Sequence, residues 1–260
     1  MNIHVSKHLP PDRRVRFLGL DYDALEQSNV LALLLARSPK EKFAAIVTPN
    51  ADHLVRISNS EKIAGAYRSA SMRLNDSRIV SALAKLRRIP LTTVPGSDLL
   101  NSLFHAPQFD PGWPILVVGG SPEVFSLLVK EFGLTGAMHY DAPMGLLTDP
   151  SKMAMTVSHI ETHPARFVLL AVGSPQQELI AQAVAERGNA TGIGLCIGAA
   201  VEFLVHPERR APRWMSRWGL EWLYRLAREP KRLWRRYLVD SPKLFSLALK
   251  DWASSRSSRK

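Results

Sequence analysis

A single cysteine among 260 residues excludes an intramolecular disulfide. Cys196 lies inside an apolar, glycine-containing run, reads as inert core, and suits a reducing compartment. Acidic residues are also few: 23 Asp and Glu stand against 34 Lys and Arg, a formal net charge of +11. That imbalance favours an anionic partner, whether nucleic acid, a membrane surface or a phosphorylated substrate, without choosing among them. Long apolar runs are missing as well. The longest, Ile193 to Val205, is broken by Glu202 and falls short of the ~20 residues that cross a bilayer, so any membrane contact is expected to be peripheral. The polar opening MNIHVSKHLPPDRRVRF has no apolar segment, and secretion by a signal peptide is not expected.

Metal and dinucleotide signatures are incomplete. His159 and His163 have the i, i+4 spacing of a metal pair with Glu161 between them, but Pro164 follows and H-E-x-x-H is absent. They read as a solvated helix end, and no metal is assigned. Asp21 and Asp23 form a D-x-D pair, read as complementing the dipole of a first helix. The full G-x-G-x-x-G fingerprint is missing, and Asp141 alone does not identify a dinucleotide site, so no cofactor is expected.

What is present is an alternation of apolar strands and helices. Hydrophobic residues make up 46% of the chain, enough for one large α/β core. VRFLGL reads as a strand and DYDALEQSNVLALLLARS as the helix after it, a first β–α step. Phe43 to Val47 is a strand ending in Thr48-Pro49-Asn50, with a helix from Ala51 to about Ser60. Ser71 to Leu74 is a strand ending in Asn75-Asp76-Ser77. Pro114 to Gly120 is a strand that closes on a glycine turn, followed by a helix at Ser121-Pro122-Glu123. Phe167 to Val172 runs into Gly173-Ser174-Pro175-Gln176-Gln177-Glu178 and a helix, and Gly192 to Gly198 is the last core strand. Such alternation favours a largely parallel sheet covered on both faces.

Ligands of open α/β sheets bind at the carboxyl ends of the strands, which places Thr48 and Asn50 beside one. Capping the next helix is an equal alternative for both. Asp76 at a strand end can serve as a general base or as a helix cap. Gly119 and Gly120 let backbone N–H groups approach a phosphate. Gly173 shapes the next turn, and Gln177 and Glu178 stand in a first helical turn, suited to ribose, base or sugar hydroxyls or to capping and solvation.

Charge concentrates late in the chain. Arg209 to Leu238 holds ten Arg or Lys and four of the six Trp against Glu221 and Glu229 only. As helices, this stretch starts near Pro212, stops at Glu229 and restarts after Pro230. Forked guanidinium groups beside Trp and Leu fit a lipid diphosphate at a membrane surface, although a soluble basic face is the plain alternative. Past Phe245 the tail is Ser, Arg and Lys rich and is expected to fray.

Together these pieces resemble the WecG/TagA/CpsF glycosyltransferases, family 26. The matching motifs are Thr48-Pro49-Asn50, Asp76, Gly96-Ser97-Asp98, Val117-Val118-Gly119-Gly120, Gly173 to Glu178, and RAPRWMSRWGLEWLYRLAREPKRLWRRYL. The resemblance implies a Rossmann-like core, taken as residues 1–205, and a C-terminal helical appendage, taken as 206–260, that binds membrane and closes over the active site. It implies transfer from a UDP-sugar, of glucose or N-acetylmannosamine type, to a polyprenyl-diphosphate-linked sugar at the cytoplasmic face of a bacterial membrane. Asp76 is then the base, Thr48, Asn50, Gly119, Gly120, Gly173, Gln177 and Glu178 hold the donor, and Arg225, Arg232 and Arg235 meet phosphate. The family aspartate is typically followed by glycine; Ser77 stands there instead, and a differently shaped loop is expected. The Trp-rich appendage and Ser77 lean toward the exopolysaccharide-gum branch, in which UDP-glucose extends a glucose-diphosphate lipid. The rival from another class is a basic nucleic-acid-binding protein with an α/β core; no recognised DNA- or RNA-binding motif appears, and nucleic acid is not an expected partner. A catalytically dead scaffold of the same fold is a third reading.

Overall fold

Four strands read as unbroken apolar tetrapeptides, AAIV, ILVV, FVLL and IGLC, and every residue in them is buried. Burial on both faces is what a parallel sheet between two helical layers requires. The computed structural model describes residues 14–209, 211–212, 215, 220–228, 230–234 and 242–257.

The strands are β1 (Arg14–Phe17), β2 (Leu20–Asp23), β3 (Ala44–Val47), β4 (Met72–Arg73), β5 (Ile115–Val118), β6 (Ala137–Tyr140), β7 (Phe167–Leu170) and β8 (Ile193–Cys196). The helices are α1 (Gln27–Ala36), α2 (Ala51–Asn59), α3 (Glu61–Ser69), α4 (Arg78–Leu86), α5 (Gly96–Phe104), α6 (Pro122–Phe132), α7 (Pro150–Thr162), α8 (Gln176–Arg187), α9 (Ala200–Val205), α10 (Glu221–Arg228), α11 (Pro230–Trp234) and α12 (Lys243–Ser257). Six strands pair in parallel in the order β4-β3-β8-β7-β5-β6. The α/β architecture read from the sequence is the one observed.

Alternation along the strands divides the core in two. Ile46, Val117, Leu169 and Leu195 face a layer with Val30 and Leu34 of α1, Leu99 and Leu103 of α5, Leu128 of α6 and Val201 of α9. Val47, Leu116, Val118 and Leu170 face the opposite layer, with Leu54 of α2, Tyr67 of α3, Val80 of α4, Val157 of α7, Ile180 of α8 and Leu244 of α12. Helix starts are set by side-chain caps: Asn50, Ser60, Ser77, Ser121 and Asp149 accept backbone N–H groups at α2, α3, α4, α6 and α7. Each such cap contributes about 1 kcal/mol.

The first segment departs from the sequence reading. No helix starts at Asp21; β1 and β2 form an antiparallel hairpin in which Phe17 pairs with Leu20 across Leu18 and Gly19. Both turn residues have positive φ, 51° and 79°, as a tight two-residue hairpin turn demands. Leucine is a costly choice there, but its side chain is buried, which offsets the cost. Asp21 and Asp23 therefore sit in a strand. Asp21 pairs with Arg16 at the surface, and Asp23 turns into the protein and binds the backbone N–H of Arg73 at 2.9 Å. Asp23 also lies 3.7 Å from the buried Arg73 guanidinium.

Tyr22, between those aspartates, is fully buried and its hydroxyl has no hydrogen-bond partner among the described residues. An unsatisfied buried hydroxyl costs about 1–3 kcal/mol. Tyr22→Phe is expected to stabilise the protein by about 1 kcal/mol, read as a higher urea midpoint at unchanged slope.

Two further differences concern helices. The stretch after Ser60 forms a separate helix, α3, that the sequence reading left blank; Ser60 ends one helix and caps the next. The tail does not fray at Phe245, because α12 continues to Ser257. Leu244 is 1% exposed, and Asp251 bonds Arg87 at 2.7 Å, so the helix is tied to the core at both levels. Glu229, where the sequence reading breaks the helix, lies outside the described residues, between α10 and α11. Among the described residues no helix is long and apolar enough to cross a membrane.

Candidate active site

The carboxyl ends of the parallel strands make one row of turns. Its order follows the sheet: Asp76 beyond β4, Thr48 to Asn50 beyond β3, Gly198 beyond β8, Gly173 and Ser174 beyond β7, Gly119 and Gly120 beyond β5. At ~4.8 Å per strand the row from β4 to β5 spans roughly 19 Å. A single ligand touching both ends would have to be extended.

Asp76, Thr48 and Gly96 come together at one end. The Asp76 N–H donates to the Pro49 carbonyl at 3.1 Å, which ties the β4 turn to the β3 turn. Its carboxylate Oδ1 accepts from the Gly96 N–H at 3.3 Å, at the first residue of α5. Gly96 packs closely here: a Cβ would lie 3.1 Å from Thr48 Oγ1, so a larger residue would press on that side chain. Thr48 in turn donates from Oγ1 to the Cys196 carbonyl at 3.4 Å, linking β3 to β8. Asp76 is half-buried and does not cap α4; Ser77 does, from an extended backbone at φ −112°. Serine adopts that conformation freely, so the residue after Asp76 does not need the left-handed freedom of glycine.

Asn50 is occupied as a cap. Its Oδ1 accepts from the N–H groups of Asp52 and His53 at 3.1 and 3.2 Å, while its Nδ2 has no partner among the described residues. The oxygen end of the amide thus holds α2.

The glycine pair divides similarly. Gly119 has φ +83° and a Cβ there would meet Val172 Cγ1 at 2.5 Å, so glycine is required by the close approach of the β5 and β7 turns. Its N–H goes to the Tyr140 carbonyl at 2.9 Å and continues the sheet ladder. Gly120 also has positive φ but opens onto space, and it is the member of the pair that a ligand can approach. Gly173, at φ +80°, likewise faces open space.

Gln177 and Glu178 are 3% and 1% exposed and lie beneath the row of turns. Gln177 Oε1 accepts from the Gly198 N–H at 2.9 Å, and its Nε2 donates to Glu178 Oε1 at 2.8 Å. Tyr67 donates to the same Glu178 oxygen at 2.9 Å. The structure thus buries these two residues against the turn after β8 and Tyr67. Tyr67, His53 and the Ser174 hydroxyl belong to this cluster and were missed by sequence reasoning. The only signal was the apolar spacing Ile63, Ala64, Tyr67 after a Ser60 cap.

Burial pushes the Glu178 carboxyl above its ordinary pKa, against smaller lowering by its hydrogen bonds to Gln177 and Tyr67. The folded protein then holds this proton more tightly than the unfolded chain, and the contribution is present at low pH and lost as pH rises through the raised value. Unfolding free energy measured from about pH 5 to about pH 8 is expected to fall more in the wild type than in Glu178→Gln.

Elsewhere, His159 stacks between Tyr140 and His163, with centroids 4.1 and 3.8 Å away. Burial and the neighbouring His163 lower the His159 pKa. Of the appendage arginines, Arg225 and Arg232 belong to α10 and α11 by backbone, but their side chains, and Arg235 as a whole, lie outside the described residues.

A parallel six-stranded sheet with a carboxylate, a threonine and open glycine turns at its carboxyl edge has these groups where ligands of open α/β sheets bind. The model of the glycosyl transferase WecG/TagA/CpsF family matches residues 15–258, from the hairpin through α12. The chain belongs to the WecG/TagA/CpsF family of glycosyltransferases, enzymes of cell-surface polysaccharide synthesis that pass a sugar from a donor to an acceptor.

Proposed function

We propose that this glycosyltransferase moves a sugar from a UDP-sugar to a polyprenyl-diphosphate-linked sugar, by inverting single displacement, at the inner face of a bacterial cytoplasmic membrane. The observation that carries this reading is the Asp76 carboxylate, half-buried at a strand end beside Thr48 and accepting the Gly96 backbone N–H. Asp76 takes the proton of the acceptor hydroxyl while that oxygen bonds to the anomeric carbon. The bond from that carbon to the diphosphate oxygen breaks, and UDP leaves with the electron pair.

Thr48 and the free end of Asn50 lie nearest the reacting sugar. Gly120 and Gly173, further along the row, suit the nucleotide end of the donor, since a ligand reaching them from Asp76 must be extended. Gln177 and Glu178 support the donor from below, and Gly119 through packing. Residues 1–205 form the catalytic core. Residues 206–260 form the appendage, with Arg225, Arg232 and Arg235 on the acceptor diphosphate and the remaining Lys and Arg on anionic headgroups, each worth about 1 kcal/mol near such a surface.

Labelled-sugar transfer tests this reading. A panel of UDP-sugars, including UDP-glucose and UDP-N-acetylmannosamine, is offered with short-chain polyprenyl-diphosphate glucose or polyprenyl-diphosphate N-acetylglucosamine, with magnesium and with chelator. Transfer from one donor to one acceptor is expected, and UDP-glucose onto the glucose lipid identifies the exopolysaccharide branch. No transfer in any pairing, with salt-sensitive oligonucleotide binding instead, overturns the reading.

A further inference from the structure

Beneath the crevice, polar groups from four segments join in one chain. His53 in the first turn of α2 approaches the Tyr67 hydroxyl with Nδ1 at 2.9 Å. Tyr67 donates to Glu178 Oε1 at 2.9 Å and also lies 3.4 Å from the Ser174 hydroxyl. Glu178 Oε1 accepts again from Gln177, whose other end holds the Gly198 N–H. Arg56, one turn beyond His53, donates to the Ser174 carbonyl at 2.9 Å and pairs with Asp52 at 2.7 Å. The chain thus runs from the helix that begins at Asn50 to the turns after β7 and β8.

Its hydrogen bonds have one consistent direction. The Gly198 N–H must donate, so Gln177 presents its oxygen there and its NH2 to Glu178. Tyr67 has one proton and gives it to Glu178, so its oxygen accepts from His53, which carries hydrogen on Nδ1. No member can rotate without breaking a bond at a neighbour. Such a network is an expensive way to fill a core: no cation forms a salt bridge with Glu178 among the described residues, and Glu178 Oε2 is buried without a partner. Apolar side chains of the same shape stabilise a fold as well or better. What the polar chain adds is a fixed position for the turns it holds.

We propose that Tyr67 is a positioning residue of this glycosyltransferase: through Glu178, Gln177 and Ser174 its hydroxyl fixes the turns after β7 and β8 against α2, and so sets how tightly the donor is held. This rests on the reading of the crevice as the site of a UDP-sugar. Tyr67 touches no substrate. It acts through Gly198 and Ser174, whose backbones border the open side at Gly173.

The test is steady-state transfer with purified full-length enzyme, together with thermal unfolding, for three variants. Tyr67→Phe keeps the ring in its fully buried place and removes only the hydroxyl; Glu178→Leu removes the acceptor; Glu178→Gln keeps an oxygen that accepts from both Tyr67 and Gln177. Tyr67→Phe and Glu178→Leu are expected to raise donor KM about tenfold with kcat within threefold, and Glu178→Gln, which keeps the acceptor, to raise it less than Glu178→Leu does. A merely structural role lowers the melting temperature and the active fraction while leaving donor KM alone, and that pattern overturns the proposal. So does a wild-type KM in both Tyr67→Phe and Glu178→Leu. A wild-type enzyme that transfers from no UDP-sugar overturns the underlying donor reading, and this proposal with it.

Discussion

Asp76→Asn is expected to lower kcat for sugar transfer by about 10²–10⁴-fold, with donor KM changed no more than a few-fold. The substitution isolates one property. Asparagine has the shape of aspartate and an Oδ1 that still accepts from the Gly96 N–H, so the junction of the β4 turn, α5 and Thr48 is retained. It cannot take a proton from an attacking hydroxyl. Since Ser77 and not Asp76 caps α4, the helix start is also untouched, and a large loss in rate is not a loss of fold. Asp76→Ala removes the Gly96 contact as well and is expected to raise donor KM in addition. Turnover of Asp76→Asn within threefold of wild type would place the base elsewhere.

The largest effect on stability is expected at Asp23. Arg73 lies on the edge strand β4 with its side chain only 7% exposed, and burial pushes its pKa below the ordinary value against the raising effect of Asp23. The guanidinium is otherwise held by carbonyls: Nε donates to Asp21, and Nη1 to Arg68 and Ala70 at 3.0 and 2.7 Å. Asp23→Ala leaves that buried cation without its carboxylate and the Arg73 N–H without its acceptor. A loss of about 3–5 kcal/mol follows, measured by denaturant unfolding. The pair Asp23→Leu with Arg73→Met is expected to recover most of it, because removing both charges removes the desolvation cost. A loss under about 1 kcal/mol in Asp23→Ala would show that the three carbonyls suffice.

The strands that carry the site were legible because β3, β5, β7 and β8 are buried on both faces and must be apolar throughout. The turns after them were legible too, from Thr48-Pro49-Asn50, Asp76, the glycine pair and Gly173 to Glu178. The hairpin was hidden by its turn, since Leu18-Gly19 lacks the Asn or Asp that marks such turns. The alternation Leu20-Asp21-Tyr22-Asp23 was nevertheless a strand signal, and reading two aspartates as a helix start overrode it. At Gln177 and Glu178 the sequence located the helical turn but not the direction of the side chains. Their fate depends on Tyr67, 111 residues before Glu178, and no local pattern contains that distance. Asn50 shows the reverse case: capping and binding were both open from its residue type, and what the geometry shows is the cap at its Oδ1.

The packing of α12 against α2 also bears on how the chain acquires its structure. The helix that Asn50 caps is made long before α12, whose Leu244, Leu247 and Ala248 join the same core cluster as its Leu54, Val55 and Ile57. A contact of such separation is closed late, because the loop entropy must be met before the contact returns anything. The side of α2 that meets α12 is therefore covered only after Lys243 and the residues beyond it have been made. A chain cut before Lys243 would keep every strand of the sheet and leave the side of α2 that meets α12 exposed, so such a truncation is expected to be more prone to aggregation and proteolysis.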